Sequence, residues 1–403
     1  MTGGTRMSPG RSAVSAAPSR DRLPSLTGLR FWAALVVVLY HLSRATGKIP
    51  GLSDAVWYGR TGVTFFFVLS GFVLAWTYDG AGVPAKVFMW RRFARIWPLM
   101  LVTTALSVAV IAVQGDAVSR AAVTTSLFLL HAWVPDPVYA AAGNPAAWSL
   151  SDEAFFYAVF PLLLAALTRG RARSWAWTAV ACCTALVLVW PAASTASDTF
   201  HRVWALDYFP VSRSLQFVVG VTAGLAVKRG WRPRVSLPAA AGLVVAWHLL
   251  LIPWSRAVPD ALWYSPYSAS QLLSTPLFAL LVVAAARADL DGRRTGLGGT
   301  WMIRLGHWSF AWYLMHEIVI RGVKGLYGRP GSLSETVEVW TLVLTVSLAL
   351  SAAAYQWIER PAERMLRGLG PRHAPPGGDH RPHAPTEAVR PGFTAPDREE
   401  ETK

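Results

Sequence analysis

Long apolar runs separated by short polar segments dominate the chain. A helix needs about 20 mainly apolar residues to cross the hydrocarbon core of a bilayer, and runs near this length recur along the chain. We predict ten spans: 29–45, 61–79, 98–114, 153–168, 175–192, 209–228, 236–253, 270–287, 305–324 and 338–357. A shorter run, 121–133, is expected to be re-entrant or interfacial. The pattern predicts an all-α integral membrane protein with about ten transmembrane helices in one bundle.

Basic residues are concentrated in every second segment between these spans, around residues 91–95, 169–173, 228–234 and 287–304. The segment after the first span, with Arg44, Lys48 and Arg60, fits this alternation least well. Loops on the cytoplasmic side of a membrane carry an excess of Lys and Arg. We therefore expect a multi-pass protein of the plasma membrane with both termini in the cytoplasm.

The two ends of the chain differ from the rest. Residues 1–24 are rich in Ser, Ala, Arg and Pro, and residues 371–403 in Pro, Gly, His and charge. Such segments bury too little apolar surface to fold, so both are predicted to be disordered cytoplasmic tails around one transmembrane domain, 25–366. No secretory signal is expected, because the only sequence similar to a cleavage site, at 13–17, precedes the first apolar run.

Composition agrees with a membrane protein. Only 15% of the 403 residues are charged and 53% are hydrophobic, whereas about a quarter of the residues in soluble domains are charged. The net charge of +15 does not indicate a nucleic-acid partner, because the basic residues form short clusters rather than one face. The two cysteines, Cys182 and Cys183, are adjacent in an apolar run, and we predict neither a disulfide framework nor a metal site.

Ionisable residues inside the spans are the candidates for function, because they are costly in a bilayer. Arg30 and His41 are eleven residues apart in the first span, so they lie on one helix face, roughly 16 Å apart along its axis. A histidine at this depth can serve as a general base. The alternative is a structural histidine bonded within the bundle and an arginine that extends to the interface.

A second candidate site precedes the third span. Arg95 lies four residues after Arg91 and three residues after Arg92. On a short helix the three side chains form one cationic face. Arginine binds phosphate in a bidentate manner. The alternative is that these residues only anchor a cytoplasmic loop.

The fourth span opens with Trp148-Ser-Leu-Ser-Asp-Glu153. Ser151 is a potential helix cap, and acidic residues in a first turn favour the helix dipole. We also expect Glu153 to face the bundle at the depth of His41 and to orient its imidazole. In the ninth span, Tyr313-Leu-Met-His316-Glu317 brings two more ionisable groups near mid-membrane. The remaining candidates are Ser149, Arg213, Tyr313, His316 and Glu359.

Six of these segments together resemble the acyltransferase-3 family of membrane O-acyltransferases, from about Leu23 to Pro361. The pair Arg30 and His41 corresponds to the family's arginine–histidine motif, and Arg91–Pro98 to its arginine motif. The other matching segments are Gly62–Phe72, Trp148–Glu153, Tyr313–His316 and Glu359–Pro361. Each motif alone is weak, but six in the family's order are specific.

The resemblance implies transfer of an acyl group, expected to be acetyl, from acyl-CoA to a hydroxyl of a glycan, glycolipid or secondary metabolite. His41 would be the general base, with Glu153 as its catalytic partner. Arg30, Arg91, Arg92 and Arg95 would hold the CoA phosphates. No permanently bound cofactor is expected, and the partners would be acyl-CoA, the acceptor and the bilayer.

One position departs from the family. Where many members have Asp or Glu, this chain has Thr64, which cannot supply a charge to hold the histidine tautomer. The Thr/Ser variant with three phenylalanines resembles the actinobacterial branch, which includes enzymes that acylate macrolides.

A transporter or flippase is the main alternative, since buried charges also line substrate paths. Many transporters have two halves with matching interrupted helices, and no such repeat is evident in the sequence. A sensor that binds acyl-CoA without transfer is a third hypothesis.

Overall fold

A computed structural model describes residues 22–169, 172–192, 199–258 and 265–371. The predicted tails, 1–24 and 371–403, lie almost entirely outside these residues. Ten long helices match the ten predicted spans: α1 Pro24–Ala45, α2 Gly62–Tyr78, α3 Ala85–Val113, α4 Trp148–Arg169, α5 Ala172–Ala192, α6 Pro210–Lys228, α7 Leu237–Ala257, α8 Thr275–Leu290, α9 Thr300–Tyr327 and α10 Leu333–Ala354.

Nine helical stretches in the described part of the chain are long and apolar enough to cross a membrane. They contain all of the long helices except α9. At 28 residues α9 is long enough, but ionisable residues interrupt its apolar sequence, among them Arg304, His316 and Glu317. The protein is an all-α, polytopic membrane bundle, as predicted.

Shorter helices join the long ones: Leu52–Val56, Arg120–Leu127, Pro137–Ala140, Thr199–Val203, Pro266–Leu273 and Arg360–Leu369. Single helical turns at Gly59–Thr61, His131–Trp133, Pro145–Ala147, Trp204–Tyr208 and Tyr355–Glu359 complete the path. The predicted interfacial run 121–133 holds most of the eight-residue helix Arg120–Leu127 and the single turn His131–Trp133. Both are too short to span.

The beginning of α3 corrects the sequence prediction. The arginine cluster was assigned to a segment before a span that starts at 98, but α3 already begins at Ala85 and continues through Pro98. Arg91, Arg92 and Arg95 therefore lie on the first turns of a long helix. The apolar run ends at these charges, but charged residues are compatible with a helix that extends beyond the hydrocarbon core.

Small residues bring pairs of helices together in the centre of the bundle. A methyl group placed on Gly71 of α2 would lie 2.1 Å from the carbonyl oxygen of Phe217 in α6. One placed on Gly306 of α9 would lie 1.9 Å from the carbonyl oxygen of Thr27 in α1. Glycine at such crossings lets two backbones approach closely, as is common between membrane helices.

These contacts also define the relative direction of α1 and α9. The first residues of both helices lie together, since Arg30 donates to Ser309 across 3.3 Å. Further along, the rings of His41 and His316 are 5.0 Å apart. The two helices therefore run in the same direction. This is expected, because successive spans alternate in direction and the first and the ninth are both odd-numbered.

The outside of the bundle is apolar. On α7, which is one of the candidate membrane spans, Val245 is 58% exposed and Leu250 is 62% exposed. Exposed aliphatic side chains along a whole helix are unfavourable in water and favourable against lipid.

Candidate active site

The face that α1 turns towards α9 carries both predicted functional residues. Arg30 donates to Ser309, and His41 packs its ring perpendicular to that of His316, at 88°. The prediction that Arg30 and His41 share one helix face is confirmed. The reason is local, because eleven helical steps return to nearly the same direction.

His41, His316 and Glu317 form one cluster, which we call the histidine cluster. The Nδ1 atom of His41 is in close contact with the Glu317 carboxylate. One nitrogen of each ring and one carboxylate oxygen all lie within 4.8 Å of one another. His316 is fully buried, and its Nδ1 lies 3.3 Å from the Trp312 carbonyl oxygen. Among the residues that the structure describes, its Nε2 has no hydrogen-bond partner.

A cavity of 500 Å³ opens beside this cluster, and we call it the histidine cavity. It is lined by His41, His316, Glu317 and by two arginines, Arg44 and Arg60. Arg60 is paired with the Asp207 carboxylate and its guanidinium lies 3.9 Å from the ring centre of Tyr267. Arg44 donates to the Tyr40 hydroxyl at 2.8 Å.

A second cavity of 340 Å³ contains the other half of the candidate site, and we call it the arginine cavity. Its lining includes Arg30, Arg92, Arg95, Glu153 and Tyr157. Of the three arginines predicted to hold the CoA phosphates, Arg92 and Arg95 line this cavity and Arg91 does not.

The two arginines from α3 differ in their partners. Arg95 is paired with Glu359 and, at 3.2 Å, with Glu363, and Glu359 is buried. Arg92 lies 3.4 Å from the Tyr78 hydroxyl, and its buried Nε atom has no hydrogen-bond partner in the described part of the chain. The charge of Arg95 is already compensated, whereas Arg92 retains an unused donor in the cavity.

Glu153 does not orient His41. It accepts hydrogen bonds from Tyr157, one turn later in α4, and from Ser70 at 3.3 Å. Its carboxylate belongs to the arginine cavity, and Glu317 occupies the position beside the imidazole. The expectation about Glu153 was wrong because the sequence could not give the depth of one helix relative to another.

The two cavities meet at Val63 and Tyr313, the two residues that line both of them. Both side chains are nearly buried, and Ser149 donates to the Tyr313 hydroxyl at 2.9 Å. We call Val63, Ser149 and Tyr313 the partition. Two of the residues predicted to be functional, Ser149 and Tyr313, thus lie between the arginine cavity and the histidine cavity.

Ser151 has a structural position. It was expected to cap α4, but that helix begins at Trp148, and Ser151 donates to the Leu129 carbonyl oxygen at 2.5 Å. Upstream of α4, the Asn144 side chain caps the helical turn Pro145–Ala147 by accepting from the Ala146 amide. Ser151 therefore ties α4 to the segment that follows the helix Arg120–Leu127.

Thr64 and Arg213 belong to a buried polar group next to the histidine cavity, in which both contact Gln271. Thr64 donates to the Gln271 side chain at 2.8 Å, and the Arg213 guanidinium lies 3.4 Å from the same oxygen. Both residues are fully buried, and Gln271 lines the histidine cavity. Arg213 also lies 5.0 Å from the ring centre of Phe67, which lines the arginine cavity.

The comparison with known proteins identifies the family of the chain. The family described as Acyl_transf_3, an acyltransferase domain, matches residues 23–356. The chain belongs to this acyltransferase family. No solved structure is significantly similar to it.

Three proteins of similar sequence are informative. Acyltransferase MdmB of Streptomyces mycarofaciens is 32% identical over 375 residues, which cover 87% of this chain and 94% of that protein. The exopolysaccharide production protein ExoZ of Rhizobium meliloti is 27% identical, covering 84% of this chain and all of its own length. A putative O-acetyltransferase of Staphylococcus aureus is 30% identical over 36% of this chain and 25% of its own length. The similarity to a Streptomyces protein fits the actinobacterial branch, and family membership favours an enzyme over a transporter or flippase.

Proposed function

We propose that this protein is a membrane O-acyltransferase that moves an acyl group from acyl-CoA to a hydroxyl of a secondary metabolite or polysaccharide. The observation that carries this proposal is the pair of cavities that meet at the partition. One cavity presents arginines suited to an anionic donor, and the other presents an imidazole suited to activating a hydroxyl. An acyl group that passes the partition moves directly from one to the other.

The donor would bind in the arginine cavity. The buried Nε atom of Arg92 has no hydrogen-bond partner within the ranges that the structure describes, and guanidinium groups bind phosphate strongly. Arg30 lies on the α1 face that leads towards His41, roughly 16 Å along the helix axis. An extended pantetheine arm would follow this face, with the phosphates at Arg92 and Arg30 and the thioester near the partition.

The chemistry would take place at His41. Because Glu317 holds Nδ1, the other ring nitrogen, Nε2, is left as the base, as in catalytic histidine–carboxylate pairs. It removes the proton from the acceptor hydroxyl while the oxygen attacks the thioester carbonyl carbon. The carbon–sulfur bond then breaks, and the imidazolium returns the proton to the CoA thiolate. The products are an ester and free CoA, and such a base contributes about 10² to 10⁴-fold to the rate.

Glu317 would supply what Thr64 cannot. The family often has a carboxylate at the position of Thr64, and here that position carries a neutral hydroxyl bonded to Gln271. The carboxylate beside the base instead comes from α9. Ionised Glu317 would keep the proton on Nδ1 and stabilise the imidazolium formed during transfer.

The membrane orientation follows from the charge pattern. If both termini are cytoplasmic, the arginine cavity, near the beginning of α1, faces the cytoplasm and its acyl-CoA. The histidine cavity, near the end of α1, then faces the opposite side, where the acceptor would bind. Such an arrangement would move an acyl group across the bilayer without moving CoA.

The test is acyl transfer by purified, detergent-solubilised protein from radiolabelled acetyl-CoA to a panel of macrolides and exopolysaccharide fragments. His41→Ala and His41→Gln should each retain less than a tenth of the wild-type rate. His248→Gln is the matched control, because His248 is a partly buried histidine on α7 that contacts Thr61. Normal folding with more than a tenth of the activity in both His41 variants would overturn the assignment.

A further inference from the structure

We propose that the histidine cluster is a binding site for a transition-metal ion of the Zn²⁺ class, and that the bound ion inhibits the enzyme. Metal binding depends only on the geometry of the three ligand side chains. The inhibition rests on the proposed function, in which His41 is the base.

The three side chains have the ligand types and spacing of a zinc site. Two imidazoles and one carboxylate are a common set for zinc with an open fourth position. Zn–N and Zn–O bonds are about 2.0 to 2.2 Å long, which places neighbouring ligand atoms of a tetrahedral site about 3.4 Å apart. The ligand atoms of His41, His316 and Glu317 already lie within 4.8 Å of one another, so small side-chain rotations complete the site.

His316 is prepared as a ligand and has no other use for its Nε2 atom. That atom is buried and no other described residue offers it a hydrogen bond, although an unpaired buried polar atom is costly. Its Nδ1 lies 3.3 Å from the Trp312 carbonyl oxygen, which assigns the proton to Nδ1 and leaves a lone pair on Nε2. A backbone carbonyl that holds the second ring nitrogen is the usual outer partner of a metal-binding histidine.

The surroundings of the cluster select the kind of ion. Nitrogen ligands favour Zn²⁺, Co²⁺, Ni²⁺ and Cu²⁺, whereas Mg²⁺ and Ca²⁺ require mostly oxygen ligands. Only one carboxylate belongs to the cluster, and Arg44 and Arg60 line the same cavity. Arg60 is neutralised by Asp207, so Arg44 is the main opposing charge. The fourth position opens into the histidine cavity and would hold water.

Inhibition follows from the electrons that coordination uses. A metal bound to His41 occupies an imidazole lone pair and draws Glu317 away from its partner. The ring can then neither accept the hydroxyl proton in the required geometry nor be stabilised as an imidazolium. The metal and the acceptor would also compete for the same part of the histidine cavity.

The binding test uses the full chain with an affinity tag free of histidine. In every protein His373, His380 and His383 are replaced by Asn, because histidines of the C-terminal segment could bind metal independently. Co²⁺ is titrated into metal-free protein, its visible absorption is recorded, and Zn²⁺ is then added in competition. We expect one ion per chain and displacement of Co²⁺ by Zn²⁺.

Variants assign the site. His316→Gln and Glu317→Ala should each weaken Co²⁺ binding at least tenfold, while His248→Gln should leave it unchanged. Size-exclusion profiles and thermal unfolding establish that each variant is folded, and Glu317→Gln replaces Glu317→Ala if the latter is not. Absence of the absorption, or equal affinity in the cluster variants, would overturn the site.

Activity then tests the consequence. Zn²⁺ should lower the initial rate of acyl transfer with the same midpoint as its displacement of Co²⁺, and EDTA should restore the rate. An unchanged or raised rate at saturating Zn²⁺ would overturn the inhibition. Failure of the proposed function is distinguishable, because metal binding is measured without donor or acceptor and Arg92→Lys should bind Co²⁺ like the wild type.

Discussion

The imidazole Nδ1 atom of His41 in α1 is in close contact with the carboxylate of Glu317 in α9. The two residues are far apart in sequence, and the close crossing at Gly306 and Thr27 aligns the helices that carry them. The neighbouring His316 belongs to the same turn as Glu317. The pair therefore depends on the packing of α1 against α9, and its function can be tested separately from that packing.

Glu317→Gln should lower the turnover number about 10²-fold or more while leaving the half-saturating acyl-CoA concentration nearly unchanged. The amide preserves the shape but cannot stabilise the imidazolium or fix the required tautomer. The measurement is a steady-state titration of acyl-CoA at saturating acceptor. Glu338→Gln is the matched control, because Glu338 is exposed on α10. Equal turnover in Glu317→Gln and Glu338→Gln would contradict a role for this carboxylate in the reaction.

The partition should limit the length of the acyl group. Val63→Ala removes two methyl carbons where the cavities meet and should raise kcat/KM for a longer acyl-CoA, relative to acetyl-CoA, by about tenfold. One methylene in an apolar pocket is worth about 1 to 3 kcal/mol of discrimination. A series of acyl-CoA donors from acetyl to hexanoyl measures the change.

Val343→Ala is the control for this series, since it removes the same atoms from the packed core between α1, α9 and α10. Tyr313→Phe is a second variant of the partition, and it removes only the hydroxyl that accepts from Ser149. It should relax the selectivity for short acyl groups less than Val63→Ala does. Identical donor preferences in Val63→Ala and Val343→Ala would show that the partition does not select the acyl group.

The helices could be predicted from the sequence because apolar length alone defines a span. All ten predicted spans correspond to long helices, and the largest error lies at the beginning of α3. The face shared by Arg30 and His41 was also predictable, since it depends only on helical periodicity. These features are local, and a local pattern is sufficient to establish them.

The contacts between helices could not be predicted in the same way. Glu153 was expected beside His41 because both lie in apolar spans, but the depth of a residue depends on where its helix begins, and α4 begins at Trp148. Glu317 follows His316 in a segment already recognised as functional, and that adjacency was the available signal. Its pairing with His41 depends on the crossing of α1 and α9, which no single span encodes.

The proposed orientation can be checked with single cysteines at the two ends of α3. Cys182 and Cys183 are first replaced by Ala, and vesicles are prepared with the cytoplasmic side of the membrane facing inward. In these vesicles Ala85→Cys should react with a membrane-impermeant maleimide only after the vesicles are opened. Ala117→Cys should react in intact ones. Arg91, Arg92 and Arg95 follow Ala85 closely and favour the cytoplasm at that end. Labelling of both positions from one side would contradict the span, and the reverse pattern would contradict cytoplasmic termini.

The three arginines of α3 offer a matched test of donor binding. All three lie on one helix and contribute equally to a topology signal, but Arg92 and Arg95 line the arginine cavity and Arg91 does not. Lysine keeps the charge and loses the planar group that binds phosphate through two nitrogens. Replacement by lysine therefore separates phosphate binding from anchoring of the helix.

Arg92→Lys should insert normally and raise the half-saturating acyl-CoA concentration by about 10-fold or more, because the loss of one charge-assisted hydrogen bond is worth about 1.5 to 3 kcal/mol. Arg91→Lys should leave that concentration unchanged. Arg95→Lys should lower the thermal stability more than the donor affinity, since Arg95 already holds buried Glu359 and Glu363. Steady-state titrations of acyl-CoA and thermal unfolding in detergent distinguish the three variants. If Arg92→Lys and Arg91→Lys have the same affinity for acyl-CoA, the cluster only anchors α3, and the donor phosphates must bind elsewhere.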